Sequence, residues 1–490
     1  MKKLSEFVSL LSPQDVLNFQ DMPIKGIGCC PQDLNAGSLY CVVDEFLEYG
    51  HWMEGMTLLK SLRPDTDFKT WAALLLESPI PDIPLPQLIV SHARKSMALA
   101  AKYFFDTPDE QIRIVGVTGT NGKTTTTHLI SRLLTACGKK SAALGTLGLY
   151  TGNEKYEETV YTTSLSPTLF ETLNRLRQIG ITHLAAEISS HALKLDRVFG
   201  LDTDVAVFTN MARDHLDFHG TIADYRASKT KLFTRLKSHA VAVLNVDDTM
   251  GKELVSLSPC PVFTYGCSPD ADLRARDIRY RPAGTSFQVS YQGRTMEINT
   301  LLVGDFNVSN VLAALAACLA MRTEPEALEA EGQNLSGVAG RLEMIPLPGD
   351  RVGIADYAHT PDSMEKVLEA LRTTGAKRIL TVFGCGGDRD RGKRPIMGQV
   401  ADRLSDLCIV TSDNPRREDP QQIIADILAG MPENTLVEPD RRKAIRMAFE
   451  ISRAGDVILV AGKGHEPYQI IIDEKFPFDD REELRALELI

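Results

Sequence analysis

The chain has 490 residues, 43% of them apolar and 24% charged, which is enough for a substantial core and, at roughly 150 residues per domain, for about three domains. A net charge of −11 with no long Lys/Arg block excludes nucleic acid and anionic membrane surfaces as partners, so an anionic substrate must be held by local clusters of cations. Nine cysteines without a CxxC pair argue against a zinc ribbon and a disulfide framework and for a reducing compartment.

At the N-terminus, MKKLSEFVSLLSPQD has an apolar run broken by Ser, Glu and Gln, so it does not read as a signal peptide. No stretch of about 18 apolar residues exists to span a bilayer. A soluble, cytoplasmic protein without membrane insertion is expected. GSLYCVV (37–43) is a weak strand signal. SPIPDIPLPQ (78–87), with prolines at 79, 81, 84 and 86, reads as an extended linker or domain edge, because proline fixes φ and removes a donor. SHARKSMALAAKYFF (91–105) then has helical periodicity.

IRIVGVTGTNGKTTTTHLISRLLTACG reads as strand, glycine loop and helix, with Gly138 as the C-cap. HLAAEISS (183–190), DVAVFTNM (204–211) and SHAVAVLNV (238–246) fit buried parallel strands, with helices such as PTLFETLNRLRQIG (167–180) between them. FNVSNVLAALAACLAM (306–321) is expected to be a core helix. From about 340, four apolar runs (VGIADYAH, KRILTVFGC, DLCIVTSDN and GDVILVAGKG) each end in a polar or glycine-containing loop. The fold class is therefore α/β in three domains. A small N-terminal α/β domain (1–90) precedes a central P-loop-type doubly wound sheet (91–335) and a C-terminal Rossmann-like sheet (336–490). Ligands are expected at the C-terminal ends of the strands.

In GVTGTNGKTTT (116–126), the backbone N–H groups of a glycine turn and a helix start can cradle phosphate oxygens. Gly119, Thr120, Asn121, Gly122, Lys123, Thr124 and Thr125 are expected to hold ATP, with Lys123 reaching the β/γ-phosphates and Thr124 on Mg²⁺. Five residues separate Gly116 from Gly122, one more than the Walker spacing. Glu187 ends an apolar run beside this loop, where a Mg²⁺ ligand is a better reading than a surface acid. RDHLDFHG (213–220) gathers His215 with Asp214, Asp217 and His219. On coordination chemistry alone a lone histidine is an unexpected Mg²⁺ ligand, and a polar loop explains the string as well.

TGTNGKT with the longer spacing resembles the loop of the Mur ligase and folylpolyglutamate synthase superfamily. SSH, FTN, DHLDFHG, DNPR and GKGHE extend a resemblance to MurE-type Mur ligases over nearly the whole chain. It implies that Glu187 and His215 bind a second magnesium. It also implies that Lys229, in YRASKTKLF with Ser228 where alanine is usual, is carbamylated and binds metal. Without the resemblance Lys229 reads as a solvated helix lysine. Asn307 of GDFNVSN resembles an adenine contact, though on its own it reads as a helix N-cap. VAGRLE resembles the family's hinge, with Ala339 for proline and Arg341 retained for ATP. Asp356 and His359 of DYAHTPDS are implied to face the nucleotide.

Thr162 and Thr163 of YTTSLSP, with Ser189 and Arg197, match positions that hold the UDP-muramoyl substrate, while Leu195 stands where many members carry glutamine. CCP (29–31) replaces the usual DSR, and DEFLEYG (44–50) departs from the family's uridine loop, so no N-terminal contact is assigned.

Three loops at one sheet edge carry GGDRDRGKRP, DNPRRE and GKGHE, each of which taken singly is ordinary turn chemistry. The resemblance assigns Arg389, Asp413, Asn414, Pro415, Arg416, Gly462 and Glu466 to an incoming amino acid, with DNPR marking selection of meso-diaminopimelate over lysine. The implied function is an ATP- and Mg²⁺-dependent ligase that adds meso-diaminopimelate to UDP-N-acetylmuramoyl-L-alanyl-D-glutamate through an acyl phosphate. No obligate protein partner is expected. The rivals are a lysine-adding relative, a folylpolyglutamate synthase-like ligase, and a non-catalytic nucleotide-binding partner subunit. Relatives of the last kind carry a four-cysteine zinc motif that this cysteine spacing lacks.

Overall fold

The computed structural model describes residues 2–30, 35–46, 52–55, 57, 71–81, 83–152, 154–281, 284–333, 335, 337–338 and 340–487. Position 31 of the CCP string, positions 47–50 of DEFLEYG and position 339 of the hinge string lie outside the described residues.

Three large sheets follow one another along the chain, with three two-stranded ribbons beside them among the described residues. The first contains β1 (Asp15–Leu17), β2 (Gly26–Gly28), β3 (Ser38–Cys41), β4 (Ala73–Leu76) and β5 (Gln87–Ile89) in the order β1-β5-β4-β3-β2. Only β1 runs antiparallel. The central runs SLYC and ALLL are buried at every position, as strands covered on both faces must be. The proline run is not a linker between domains. It is the loop from β4 to its parallel neighbour β5, and the Leu74 N–H donates to the Pro86 carbonyl (2.9 Å). Helix α1 (Ala93–Phe104) follows. Its Met97 and Ala100 share one apolar cluster with Leu4, Phe7 and Leu75 on one side and Phe170 and Leu173 on the other.

The second sheet has eleven strands. In chain order these are β6 (Arg113–Thr118), β7 (Ser141–Gly145), β8 (Gly148–Thr151), β9 (Glu154–Glu157), β10 (His183–Glu187), β11 (Val205–Phe208), β12 (Val241–Asn245), β13 (Val262–Gly266), β14 (Leu273–Arg281), β15 (Gly284–Tyr291) and β16 (Arg294–Thr300). They lie in the order β9-β8-β7-β10-β6-β11-β12-β13-β14-β15-β16. The middle is parallel, as the apolar runs predict. The β8–β9 hairpin and the β14–β16 meander extend it antiparallel at its two edges; β9 is exposed at every position and β16 alternates buried and exposed residues, so neither offers a continuous apolar run to read.

The helices used below are α2 (Lys123–Ala136), α3 (Ser166–Gln178), α4 (Ile222–Thr234) and α5 (Asp305–Ala320). Gly138 follows α2 at φ +77°, its N–H donating to Thr135 O (2.9 Å), so the chain leaves the helix through a left-handed turn. Helix α5 packs Val311, Leu312 and Leu315 against Leu129, Ile130 and Leu133 of α2. Its N-cap is Gly304 and not Asn307, which lies a turn inside with its amide donating to Val303 O (2.9 Å).

The third sheet contains β17 (Glu343–Leu347), β18 (Arg351–Asp356), β19 (Ile379–Phe383), β20 (Leu407–Val410), β21 (Leu436–Val437) and β22 (Val457–Ala461), ordered β17-β18-β22-β19-β20-β21. All but β17 are parallel. Helices α6 (Pro361–Thr373) and α7 (Lys393–Leu404) cover one face. The four apolar runs read from the sequence are four of these strands, and the α/β class holds throughout. Among the described residues no helix is long and apolar enough to cross a membrane.

One ion pair ties the far side of this sheet together. Arg441 is wholly buried and donates through Nε and Nη2 to the two carboxylate oxygens of Asp480 (2.7 Å each), which is wholly buried too, and through Nη2 to Ala461 O (2.9 Å). Removing one partner strands a buried charge. Arg441→Met should therefore destabilise by about 3–5 kcal/mol, read as an earlier transition in urea, and Arg441→Met with Asp480→Leu should recover most of the loss. A single variant as stable as the parent would refute this account.

Candidate active site

A cavity of about 560 Å³ is lined by the C-terminal strand ends of the second sheet and by the loop and helix starts of the third. The phosphate loop forms part of its wall. Gly119 (φ +152°) and Gly122 (φ +85°) adopt conformations that L side chains avoid. A Cβ on Gly119 would collide with Thr209 Oγ1, and one on Gly122 with Asn310 Oδ1. The loop is pinned from β11 as well: the Asn121 N–H donates to Asn210 Oδ1 (3.0 Å), and Thr209 Oγ1 donates to Asn121 O (2.6 Å). Lys123 curls back, its Nζ donating to Gly119 O (3.1 Å) and Thr120 O (2.9 Å), and burial holds its amine below the ordinary lysine range. Thr124 and Thr125 line the cavity, and so do Asn307 and Asn310 of α5, joined by a 3.1 Å hydrogen bond.

Glu187, buried at the end of β10, is the hub of the neighbouring wall. Its Oε1 accepts from the Thr146 N–H (2.9 Å) and its Oε2 from Thr146 Oγ1 (3.2 Å), while Thr146 and Thr162 share a hydroxyl contact of 3.0 Å. Thr163 Oγ1 donates to Glu187 O (2.7 Å) and accepts from the Ser189 N–H (3.0 Å), and Arg197 Nη1 donates to Thr163 O (3.2 Å). The four positions matched to the UDP-substrate, Thr162, Thr163, Ser189 and Arg197, thus form one network with the expected metal ligand. Thr146, which joins them, carries no sequence signal beyond lying just past an apolar run.

His215 sits at φ +52° before the short helix Leu216–His219, with its ring 4.7 Å from that of His191. Burial first, and the Lys123 charge among lesser causes, hold its imidazole below the usual histidine range against the pull of Asp214. His191 is pushed down to about 2, mainly by burial. Lys229 is 1% exposed on α4, so the solvated reading is wrong. Its Nζ donates to Gly119 O (2.7 Å) and lies 4.5 Å from the Tyr225 ring. Burial, reinforced by Lys123, holds its amine well below the ordinary lysine range. His219 is buried between Ser190 Oγ (3.0 Å) and Asp224 Oδ2 (3.3 Å), and so clamps the end of β10 to α4. Glu187, His215 and Lys229 line the same cavity. Among the described residues no three His, Cys, Asp or Glu side chains form a ready metal cage.

The third sheet closes the opposite side. Arg341 donates to Thr124 Oγ1 (3.3 Å) and stacks 4.5 Å from the Tyr357 ring, and Asn121 donates to Asp362 Oδ2 (2.7 Å). Asp356 accepts the N–H groups of Leu342 (2.6 Å) and Ala358 (2.7 Å), and burial raises its carboxyl. His359 is pushed down to about 4 by burial, with Nδ1 on Tyr357 O (2.9 Å). Arg389 and Lys393 complete the rim. Cations gather here despite the acidic chain, as the composition requires.

Of the residues assigned to the incoming amino acid, only Arg389 lines this cavity. Asp413, Asn414, Pro415, Arg416, Gly462 and Glu466 form an adjoining cluster. Arg416 (φ +52°) is held by backbone bonds to Ile470 O (3.0 Å) and from Ile472 N (2.7 Å), and its Nη1 donates to Gly387 O (2.8 Å). The carbonyl of Pro415 packs where a Cβ on Gly387 would lie, and Gly462 (φ +118°) has no room for a Cβ beside Asp413 Oδ2. Burial pushes Asp413 up, but Lys463, Arg441 and Arg416 outweigh it and hold the carboxyl below its usual range. Asn414 donates to Glu466 Oε2 (2.8 Å), and burial raises Glu466.

A glycine cradle for phosphates, faced by cations from the third sheet, defines a nucleotide-dependent enzyme with room for further substrates. The model of the Mur ligase middle domain matches residues 117–318 and that of the Mur ligase glutamate ligase domain matches 340–464, and the chain belongs to the Mur ligase family. A relative from Geobacillus thermodenitrificans, named UDP-N-acetylmuramoyl-L-alanyl-D-glutamate--2,6-diaminopimelate ligase, is 42% identical over 463 residues, 92% of each chain. A solved structure of an enzyme of that name superposes with a TM-score of 0.68 at 33% identity over 95% of each chain. Mycobacterium tuberculosis folylpolyglutamate synthase shares the fold at a TM-score of 0.63 and 18% identity, but over only 75% of this chain and 92% of its own.

Gly122→Ala forces a side chain into the left-handed turn and against Asn310. Strain of this kind should weaken Mg·ATP binding about tenfold or more, measured by titration calorimetry, with the circular dichroism spectrum unchanged. An unaltered dissociation constant would contradict the cradle.

Proposed function

We propose that this protein joins meso-2,6-diaminopimelate to UDP-N-acetylmuramoyl-L-alanyl-D-glutamate, converting ATP to ADP and phosphate, as a cytoplasmic step of peptidoglycan synthesis. The observation that carries this reading is the Glu187 network. It wires the positions matched to the muramoyl substrate to a carboxylate beside the phosphate loop, in a chain 42% identical along nearly its whole length to a ligase of that name. The division of labour that fits is UDP-substrate binding by residues 1–90, ATP binding by 91–335 and amino-acid binding by 336–490.

The acceptor's terminal carboxylate attacks the γ-phosphorus of ATP, giving an acyl phosphate and ADP. The amine of diaminopimelate then attacks the acyl carbon, and phosphate leaves. Two anionic partners, carboxylate and triphosphate, meet in the first step, so neutralising and aligning them supplies most of the acceleration. Lys123, released from its loop carbonyls, serves the β/γ-phosphates, and Arg341 approaches from the opposite sheet. Thr162, Thr163, Ser189 and Arg197 hold the acceptor against them. The Thr124 hydroxyl would hold one Mg²⁺, and Glu187 and His215 a second; such ions when bound would screen the charge between carboxylate and triphosphate.

Lys229 fits this set only if its charge is reversed, because an ammonium repels a metal ion. Its environment favours the conversion: burial and the neighbouring Lys123 push the amine toward its neutral form, and a neutral amine is what carbon dioxide carbamylates. Lys229→Ala should lose most ligase activity yet retain ATP binding, with partial recovery on adding a small carboxylate. Turnover near that of the parent without additive would remove the carbamate from the reading.

Arg416 is the selector. Diaminopimelate differs from lysine chiefly by a carboxylate at its far end, which a guanidinium pairs bidentately. Its backbone is fixed on both sides, so the fork is pre-placed. Arg416→Ala should lower kcat/KM for diaminopimelate by about 10- to 1000-fold and leave the KM values for ATP and the UDP-substrate nearly unchanged. Steady-state kinetics with diaminopimelate and lysine side by side decide it, and a parent enzyme that prefers lysine would overturn the specificity reading.

A further inference from the structure

Lys463 is the wholly buried cation at the centre of the amino-acid cluster. Its side chain is inaccessible to solvent, and it lies on the loop after β22, between the DNPR loop and Glu466. Its Nζ donates to Asn414 Oδ1 (3.1 Å) and to Glu466 Oε2 (3.5 Å). Asn414 completes the triangle, accepting also from the Ile470 N–H (2.9 Å) and donating to the same Glu466 Oε2 (2.8 Å). Both hydrogen bonds that reach Glu466 therefore fall on one oxygen, Oε2. Among the described residues no donor reaches the other carboxylate oxygen, Oε1. A buried ammonium persists only with such acceptors around it, so Lys463 and Glu466 depend on each other.

We infer that Lys463 is a positioning residue for the incoming diamino acid, holding Glu466 by one oxygen and in its charged form so that the other oxygen receives the substrate's ammonium. The inference rests on the ligase reading above. Of the two amines of the substrate, the one that attacks must shed its proton, so the ammonium that persists through the reaction is the distal one, and a carboxylate is its natural partner. Lys463 does not touch the substrate; it acts through Glu466. Burial drives Glu466 toward its neutral form, and the adjacent ammonium is the main force that opposes this. Without that ammonium the carboxyl takes up a proton at a higher pH, and a neutral carboxyl holds an ammonium poorly.

The sign follows. In Lys463→Met the carboxyl of Glu466 takes up its proton at a higher pH than in the parent, so the loss of affinity deepens as pH falls. The KM for diaminopimelate should rise about 10- to 100-fold at neutral pH, from losing a charge-assisted contact, and the variant-to-parent ratio should shrink between pH 7 and pH 9. The KM for ATP should stay within about twofold, because the phosphate loop lies outside the cluster. In a Glu466→Gln background the same substitution should give a ratio that does not vary with pH. A purely structural role for Lys463 would lower kcat, raise all three KM values together, and show no such pH dependence. The measurement is steady-state kinetics of the full-length enzyme at pH 7, 8 and 9, with circular dichroism to verify folding. If Lys463→Met fails to fold, Lys463→Gln, which keeps a donor to Asn414 but no charge, takes its place and must show the same pH-dependent ratio. A pH-independent ratio in a folded variant, or an unchanged KM for diaminopimelate, overturns the inference. A parent enzyme that turns over no diaminopimelate would instead overturn the ligase reading, so the two failures are distinct.

Discussion

Two lysine amines donate to a single carbonyl oxygen. Gly119 O receives Lys123 at 3.1 Å from its own loop and Lys229 at 2.7 Å from α4. Two ammonium ions so placed away from water repel strongly, since the interaction of close like charges grows as the dielectric falls. The arrangement is tolerable when one amine is neutral or becomes an anion. Much of the surrounding architecture serves this point. Gly119 must lack a side chain to turn its carbonyl there, Tyr225 lays its ring beside the Lys229 amine, and His219 clamps α4 to the strand end that carries Glu187. The glycine loop and the helix that lines the cavity with Glu187 and His215 are thus one electrostatic unit.

The parallel cores of the second and third sheets were legible in the sequence, because strands buried on both faces must be apolar at nearly every position. HLAAE and VILVA announce themselves this way. The β14–β16 meander was not legible, since RTMEINT buries every second residue and alternation over seven positions is easily missed between longer signals. The proline run misled for a physical reason. Proline marks extended, donor-poor backbone equally well in a linker and in a loop between adjacent strands, and only the hydrogen bond at Pro86 O tells the two apart.

The glycine loop was legible because chemistry demands particular residue types there at short spacing, whereas the DNPR and GKGHE strings read singly as ordinary turns and were picked out by resemblance alone. The candidate site was illegible where residues work across long separations. Thr146 reaches Glu187 over 41 positions, and Asn121 reaches Asp362 over 241. Nothing in the neighbourhood of either residue reveals its partner. Lys463 stands inside a recognised string, yet its importance lies in being buried, which a flanking pair of glycines conceals. Lys229 shows the same limit from the other side: a helix lysine reads as solvated until the fold covers it.

Gly340 and Gly464 interlock. A Cβ on Gly340 would strike the backbone of Gly464 and His465, and one on Gly464 would strike Gly340 O and Tyr357. The stack of Arg341 on Tyr357, and of Tyr357 near His465, runs along the same seam. The turn before Arg341 and the loop bearing Lys463 and Glu466 therefore meet with no intervening side-chain layer to absorb change. In heritable terms, neither loop is free to diversify alone. A lineage that shifts its choice of amino acid through the 462–466 loop disturbs the seat of Arg341 as well, and the 413–416 loop, bound to the 462–466 loop through Asn414, inherits the same constraint at one remove.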